Sequence, residues 1–178
     1  MKALFRVSLT LSIVALAGCQ SVADPLSPGK TASLARGPLA THVSGSGQIT
    51  YLGEQRVFTL NANSGADGTV SGQMEVQNRA QDHNFHGSVV CVGSYGNVAF
   101  AGVHITDSND PALIGVDGIL TVVDNGEGAG AAPDQISLFT YSYPLATQQA
   151  WCAAGFGLAF QQSFLALYPV EGGNIQVH

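Results

Sequence analysis

The chain has 178 residues with 22 glycines, is 46% hydrophobic and only 10% charged, and carries a formal net charge of −6. That length fits one domain, and an apolar chain with sparse charge and abundant glycine points to a compact, turn-rich β protein and away from disorder. Six Lys and Arg against twelve Asp and Glu leave no basic stripe, so nucleic acid, which is held largely by phosphate contacts, is not expected as a partner.

In chain order the first segment reads as an export signal. Lys2 and Arg6 give a positive start, and residues 9–17 are apolar apart from Thr10 and Ser12. The run is too short to cross a bilayer as a helix, which takes roughly 20 apolar residues. Its ending, Leu16, Ala17, Gly18 and Cys19, resembles the signal of bacterial lipoproteins. Small residues admit the peptidase, and the thiol is the nucleophile that takes a diacylglycerol thioether. The resemblance implies a signal peptide at 1–18 and three acyl chains on Cys19, palmitate among them. Two chains already anchor stably, so three hold the protein at a membrane. Gln20 after the cysteine, in place of Asp, implies the outer membrane of a two-membrane bacterium.

Loss of the signal leaves Lys30, Arg36, Arg56 and Arg79 against twelve acidic residues, a net charge of −8. It also settles cysteine parity. With Cys19 lipidated, Cys91 and Cys152 are an even pair in an oxidising compartment. No CxxC occurs, so neither a thioredoxin-like motif nor a zinc knuckle competes. A Cys91–Cys152 disulfide is expected, worth about 4 kcal/mol through its long loop.

Residues 19–41 carry Pro25, Pro28, Gly29, Gly37 and Pro38 with no sustained period, and are predicted to be a flexible tether. Residues 42–178 are predicted to be an all-β domain. "VFTLNAN" puts Phe58, Leu60 and Ala62 on one face, and "VSGQMEV" does the same with Met74 and Val76. Further short runs fall at 47–52, 85–92, 97–106, 114–124, 135–141 and near 163–168, with a terminal "NIQVH". Gly-, Asn- and Asp-rich separators supply the turns. No amphipathic helix of useful length competes. About eight antiparallel strands make a single barrel, with a two-sheet sandwich as the alternative.

The ordered stretches "SGSGQITYLGEQRVFTLNA", "GTVSGQMEV", "NFHGSVVCV", "GNVAFAG", "GILTVVDNGEGAGAAPDQISLF" and "GGNIQVH" together resemble the post-COAP family of small secreted all-β domains. The likeness covers roughly residues 45–141 and the last few. It implies an all-β module, alone or appended to an extracellular chain, with no agreed enzymatic activity.

Chemical motifs are sparse. Gly126, Gly128 and Ala131 spell a dinucleotide fingerprint, but "QISLF" follows where a helix is required, so a hairpin loop is predicted. The same loop holds Asp124, Glu127 and Asp134, hard oxygen ligands of the kind Ca²⁺ takes, yet too few for its six to eight contacts. A solvated acidic turn is the stronger reading, and no metal or other cofactor is expected. His83 and His86 point to opposite faces of a strand, and His104 alternates with Val98 and Phe100 as a satisfied histidine. No HExxH, GxSxG or P-loop occurs, and nothing gives Ser, His and Asp triad spacing or marks a catalytic carboxylate pair, so the chain is not expected to be an enzyme.

The late segment 142–168 is rich in aromatic residues and departs from the alternation. It is predicted to cap the barrel, with Trp151, Phe156 and Phe160 as lining candidates if it instead roofs an apolar pocket. Two functions follow. One is a non-enzymatic, membrane-anchored module of the cell envelope acting by protein or glycan contact. The other is a lipocalin-like carrier of a small apolar ligand, which fails if Phe58, Leu60, Met74, Val76, Phe100, Leu120 and Leu138 fill the barrel.

Overall fold

The computed structural model describes residues 40–154 and 166–178. Strands β1 (Thr41–Tyr51), β2 (Glu54–Ser64), β3 (Val70–Asn78), β4 (His83–Tyr95), β5 (Val98–Ser108) and β6 (Asp117–Val123) form a meander in which each pairs antiparallel with the next. β7 (Gln135–Ser137) and β8 (Thr140–Tyr141) lie in one line along β6. A helix, α1 (Leu145–Ala153), follows, and β9 (Leu167–Pro169) and β10 (Gly172–Val177) end the chain.

β9 pairs with β7 and β10 pairs with β1, with only Val170 and Glu171 between them. The two ends of the sheet are therefore successive halves of one segment, and the sheet curls into a half-barrel. All the described strands belong to this one antiparallel sheet, as a barrel requires and a sandwich does not.

The hairpins follow from turn chemistry. The β1–β2 turn is Leu52-Gly53, both at positive φ (52° and 79°), which matches the right-handed twist of the flanking strands. The β4–β5 turn is Gly96-Asn97, with Gly96 at φ 58° in the first central position. The predicted run at 114–124 starts later, because Pro111–Leu113 forms a 3₁₀ turn whose first free N–H, on Ala112, is taken by the Asp110 carboxylate at 3.0 Å. The run at 135–141 is broken at Leu138 and Phe139.

Alternation sorts β1 to β3 into a buried and a wet face. Phe58, Leu60, Ala62 and Met74 meet Val43, Ile49 and Ile175 inside. Of the seven residues expected to fill the interior, Phe58, Leu60, Met74 and Leu120 lie in the core and Val76 and Leu138 pack against it. Phe100 is the exception. It is buried, but shares the outer face with Gly102, opposite the inward Ala99, Ala101 and Val103.

Both faces of β5 and β6 are buried because α1 lies on the outer face, against β4, β5 and β6. Sequence pattern does not foretell this helix. It buries one residue, Gln148, and has no apolar stripe. Nor does residue 145–153 cap the barrel end, as expected of the late segment; it flanks the wall.

Candidate functional site

The helix is seated by a bulge, a disulfide and two glycines. Val89 and Val92 both belong to the core, so an unbroken strand would turn Cys91 inward with Val89. The register shift between Val89 and Cys91 inserts Val90, and Cys91 emerges on the outer face opposite Gly102. There it forms the expected disulfide with Cys152 of α1, at a Cα–Cα distance of 5.9 Å. A Cβ on Gly93 would strike the Cys152 backbone, and one on Gly102 would overlap the Gln148 Oε1 and the Cys91 sulfur. Gln148, fully buried, donates from Nε2 to the Tyr143 carbonyl at 2.6 Å. Trp151 sets its ring 5.0 Å from that of Tyr143 on this outer wall. Phe156 and Phe160, the other pocket candidates, lie outside the described residues, as does Cys19.

The β6–β7 connection is a hairpin loop, as its missing helix predicts, and its acidic residues hold the barrel seam. Asp134, 6% exposed, accepts the Ile175 N–H on Oδ2 at 2.7 Å and the Asn125 N–H on Oδ1 at 2.8 Å. Asp124 accepts the Val177 N–H at 3.1 Å and the Gly126 N–H at 2.8 Å. Glu127 Oε1 takes the Asn174 and Gln176 side-chain amides at 3.0 and 2.9 Å. Each carboxylate thus engages β10, whose outward N–H groups would otherwise be an unpaired sheet edge. An open groove of about 440 Å³ runs between this loop and β10, lined by Glu127, Ala131, Pro133, Asp134 and Asn174. Among the described residues no three His, Cys, Asp or Glu converge as a metal site.

The end of the barrel that carries the β1–β2, β3–β4 and β5–β6 connections has a different character. Arg56 follows the inward parity of Phe58 and sits at the mouth, its guanidinium carbon 4.8 Å from the Tyr51 ring centroid. Its Nε is buried with no hydrogen-bond partner, and its nearest carboxylate oxygen, on Glu54, is 3.9 Å away. Glu54 is occupied elsewhere. It accepts from the Asn78 amide at 2.9 Å and the Gln81 amide at 2.8 Å, and the Asn78 bond above all holds its carboxyl below the ordinary range. Tyr51 meets Tyr168 edge-on at 5.4 Å, while Phe139 bridges Phe85 and Tyr141 at 5.0 and 5.1 Å. Burial pushes the Tyr141 hydroxyl pKa up, with the Arg56 charge opposing. Yet Tyr141 is 41% exposed, and Leu52 at the adjoining turn is 83% exposed despite its positive φ. A bulky apolar residue held in that conformation in water marks a functional candidate.

Sequence reading missed this mouth because its residues come from six strands and the turns between them. An inward-parity arginine at a strand end beside a Tyr-Leu-Gly turn is the only local signal. The histidines, by contrast, stand as expected: His104 bonds Asp117 at 2.8 Å, and His83 and His86 lie on opposite faces, with His86 3.7 Å from Glu75. What the fold defines is a class, a single-sheet antiparallel β half-barrel with a helix on its wall and an aromatic, cationic mouth. No protein-family model matches the chain, and neither curated proteins nor solved structures show a significant similarity to it.

Proposed function

We propose that this protein is a non-enzymatic lipoprotein of the cell envelope, anchored through Cys19 to the outer membrane of a two-membrane bacterium, that acts by protein or glycan contact at the barrel mouth. The observation that carries the reading is the exposure of Leu52 and Tyr141 at the barrel end that holds Tyr51, Tyr168 and Arg56. Tyrosine rings beside a guanidinium combine stiff apolar area with hydrogen-bonding capacity, the composition of contact hot spots. The net charge of −8 after loss of residues 1–18 leaves Arg56 as a local cation on an acidic chain and speaks against nucleic acid.

The signal-like residues 1–19 support the anchor, and among the described residues no helix is long and apolar enough to cross a membrane. The ordered motifs that resemble post-COAP domains support a module without catalysis. A carrier of an apolar ligand needs an interior that Phe58, Leu60, Met74 and Leu120 already occupy, so contact at the mouth is the stronger reading.

A photo-crosslinking amino acid at Leu52 in cells tests it, with the same probe at Gln73, exposed on the outer wall of β3. A discrete peptide or glycan adduct is expected from Leu52 and none from Gln73. No adduct, or equal adducts from both, would remove the mouth as the contact surface.

A further inference from the structure

Two histidines from opposite ends of the β-domain meet on its outer wall. The His42 N–H donates to the His178 carbonyl at 2.9 Å, and the His178 N–H returns a bond to the His42 carbonyl at 2.8 Å. This reciprocal pair extends the β1–β10 ladder and sends both side chains out on one face. That face is the outer one, because Val43 and Ile175 point into the core. The two imidazole rings lie nearly parallel, 9° apart, with centroids separated by 6.0 Å.

The neighbouring strand orients one of them. Asn63 of β2 stands opposite His42 in register, and its Oδ1 faces the His42 Nδ1 within hydrogen-bond distance. Asn63 Nδ2 in turn donates to Asn61 Oδ1 at 2.8 Å. In this arrangement the Asn63 Oδ1 accepts from a His42 Nδ1–H, which leaves the Nε2 lone pair for a ligand. An outer partner that fixes the tautomer and the ring plane is what orients a metal-binding imidazole.

We infer that His42 and His178 form a two-imidazole site for a borderline divalent transition metal ion, strongest for Cu²⁺. Imidazole nitrogen is the donor these ions prefer, and copper heads the affinity order. With bonds of about 2.0–2.1 Å to nitrogen, two rings on one ion have centroids on the order of 5–6 Å apart, which the observed spacing allows once the parallel rings turn to aim a nitrogen each at the ion. Two protein ligands leave the other positions to water, making an open, exchangeable site. The ion also ties β10 to β1, so it reinforces the pairing of these two strands.

The test titrates the full chain with Cu²⁺ under a weak amino-acid competitor, reading affinity and the electron paramagnetic resonance spectrum. One equivalent with nitrogen coupling is expected, with a rise in melting temperature that a chelator reverses. His42→Gln and His178→Gln should each weaken binding at least 10-fold, and Asn63→Leu about 10-fold through loss of ring orientation. His178→Gln changes an exposed side chain and keeps the backbone bonds to His42, so it leaves folding intact, and His86→Gln should leave binding unchanged. Wild-type affinity in both His42→Gln and His178→Gln, or no binding by the full chain, overturns the inference.

Discussion

Replacing Asp134 by alanine should open the barrel seam, and the size of the effect follows from two bonds. The carboxylate receives the Ile175 N–H on one oxygen and the Asn125 N–H on the other, and Ile175 is itself only 1% exposed. A buried donor stripped of its partner costs about 1–3 kcal/mol, and bonds to a charged acceptor lie at the upper end. Asn125 belongs to an accessible loop and recovers part of its loss in water, so the substitution should cost about 2–4 kcal/mol. For a domain of this size that lowers the melting temperature on the order of 10 °C. Asp134→Asn keeps the shape but turns an amide N–H₂ towards one donor, and should cost about half as much. Urea unfolding gives the free energies, and amide hydrogen exchange locates the damage. Ile175 and Val177 should lose protection before the β2–β3 hairpin does. Stability of Asp134→Ala within about 0.5 kcal/mol of wild type would refute the seam argument. Since both oxygens are engaged by backbone donors, added Ca²⁺ should leave the wild-type melting temperature unchanged.

Cys91→Ser should destabilise the protein by about 4 kcal/mol and match reduced wild type, while denatured, unreduced wild type should show no free thiol from Cys91 or Cys152. Gly102→Val should cost about 1–3 kcal/mol in urea unfolding by lifting α1 from the sheet, and equal stability would mean that the helix is not seated on that glycine. Glu54 has a folded-state pKa below its ordinary 4.5, chiefly through the Asn78 amide. Its contribution is therefore complete above that value and lost as pH falls through the lower folded one. Glu54→Gln should flatten the acid limb of the stability curve below pH 4.5 and leave the limb above it unchanged.

Alternation made the sheet legible: Phe58, Leu60 and Met74 point inward where period two puts them. The disulfide was legible from cysteine parity, but not its direction, because a one-residue bulge at Val90 reverses the face that alternation assigns to Cys91. The same limit hid Phe100, whose strand is buried on both sides. α1 could not be seen because a disulfide and two missing Cβ atoms seat it, and neither leaves a periodic trace. Asp124, Glu127 and Asp134 stood out by charge, but their partners are backbone donors of β10, far along the chain. The Arg56 mouth and the His42–His178 pair are likewise products of closure, in which strands distant in sequence become neighbours.

The central claim, a β module held at a membrane by its lipidated Cys19, is tested most directly by fractionating cells that carry Cys19→Ala. The wild-type protein should remain with the membranes through a high-salt wash and move to the detergent phase, with palmitate label at its N-terminus. Cys19→Ala should lose the label and leave the membrane fraction. Retention of the unlabelled variant in salt-washed membranes would contradict the account.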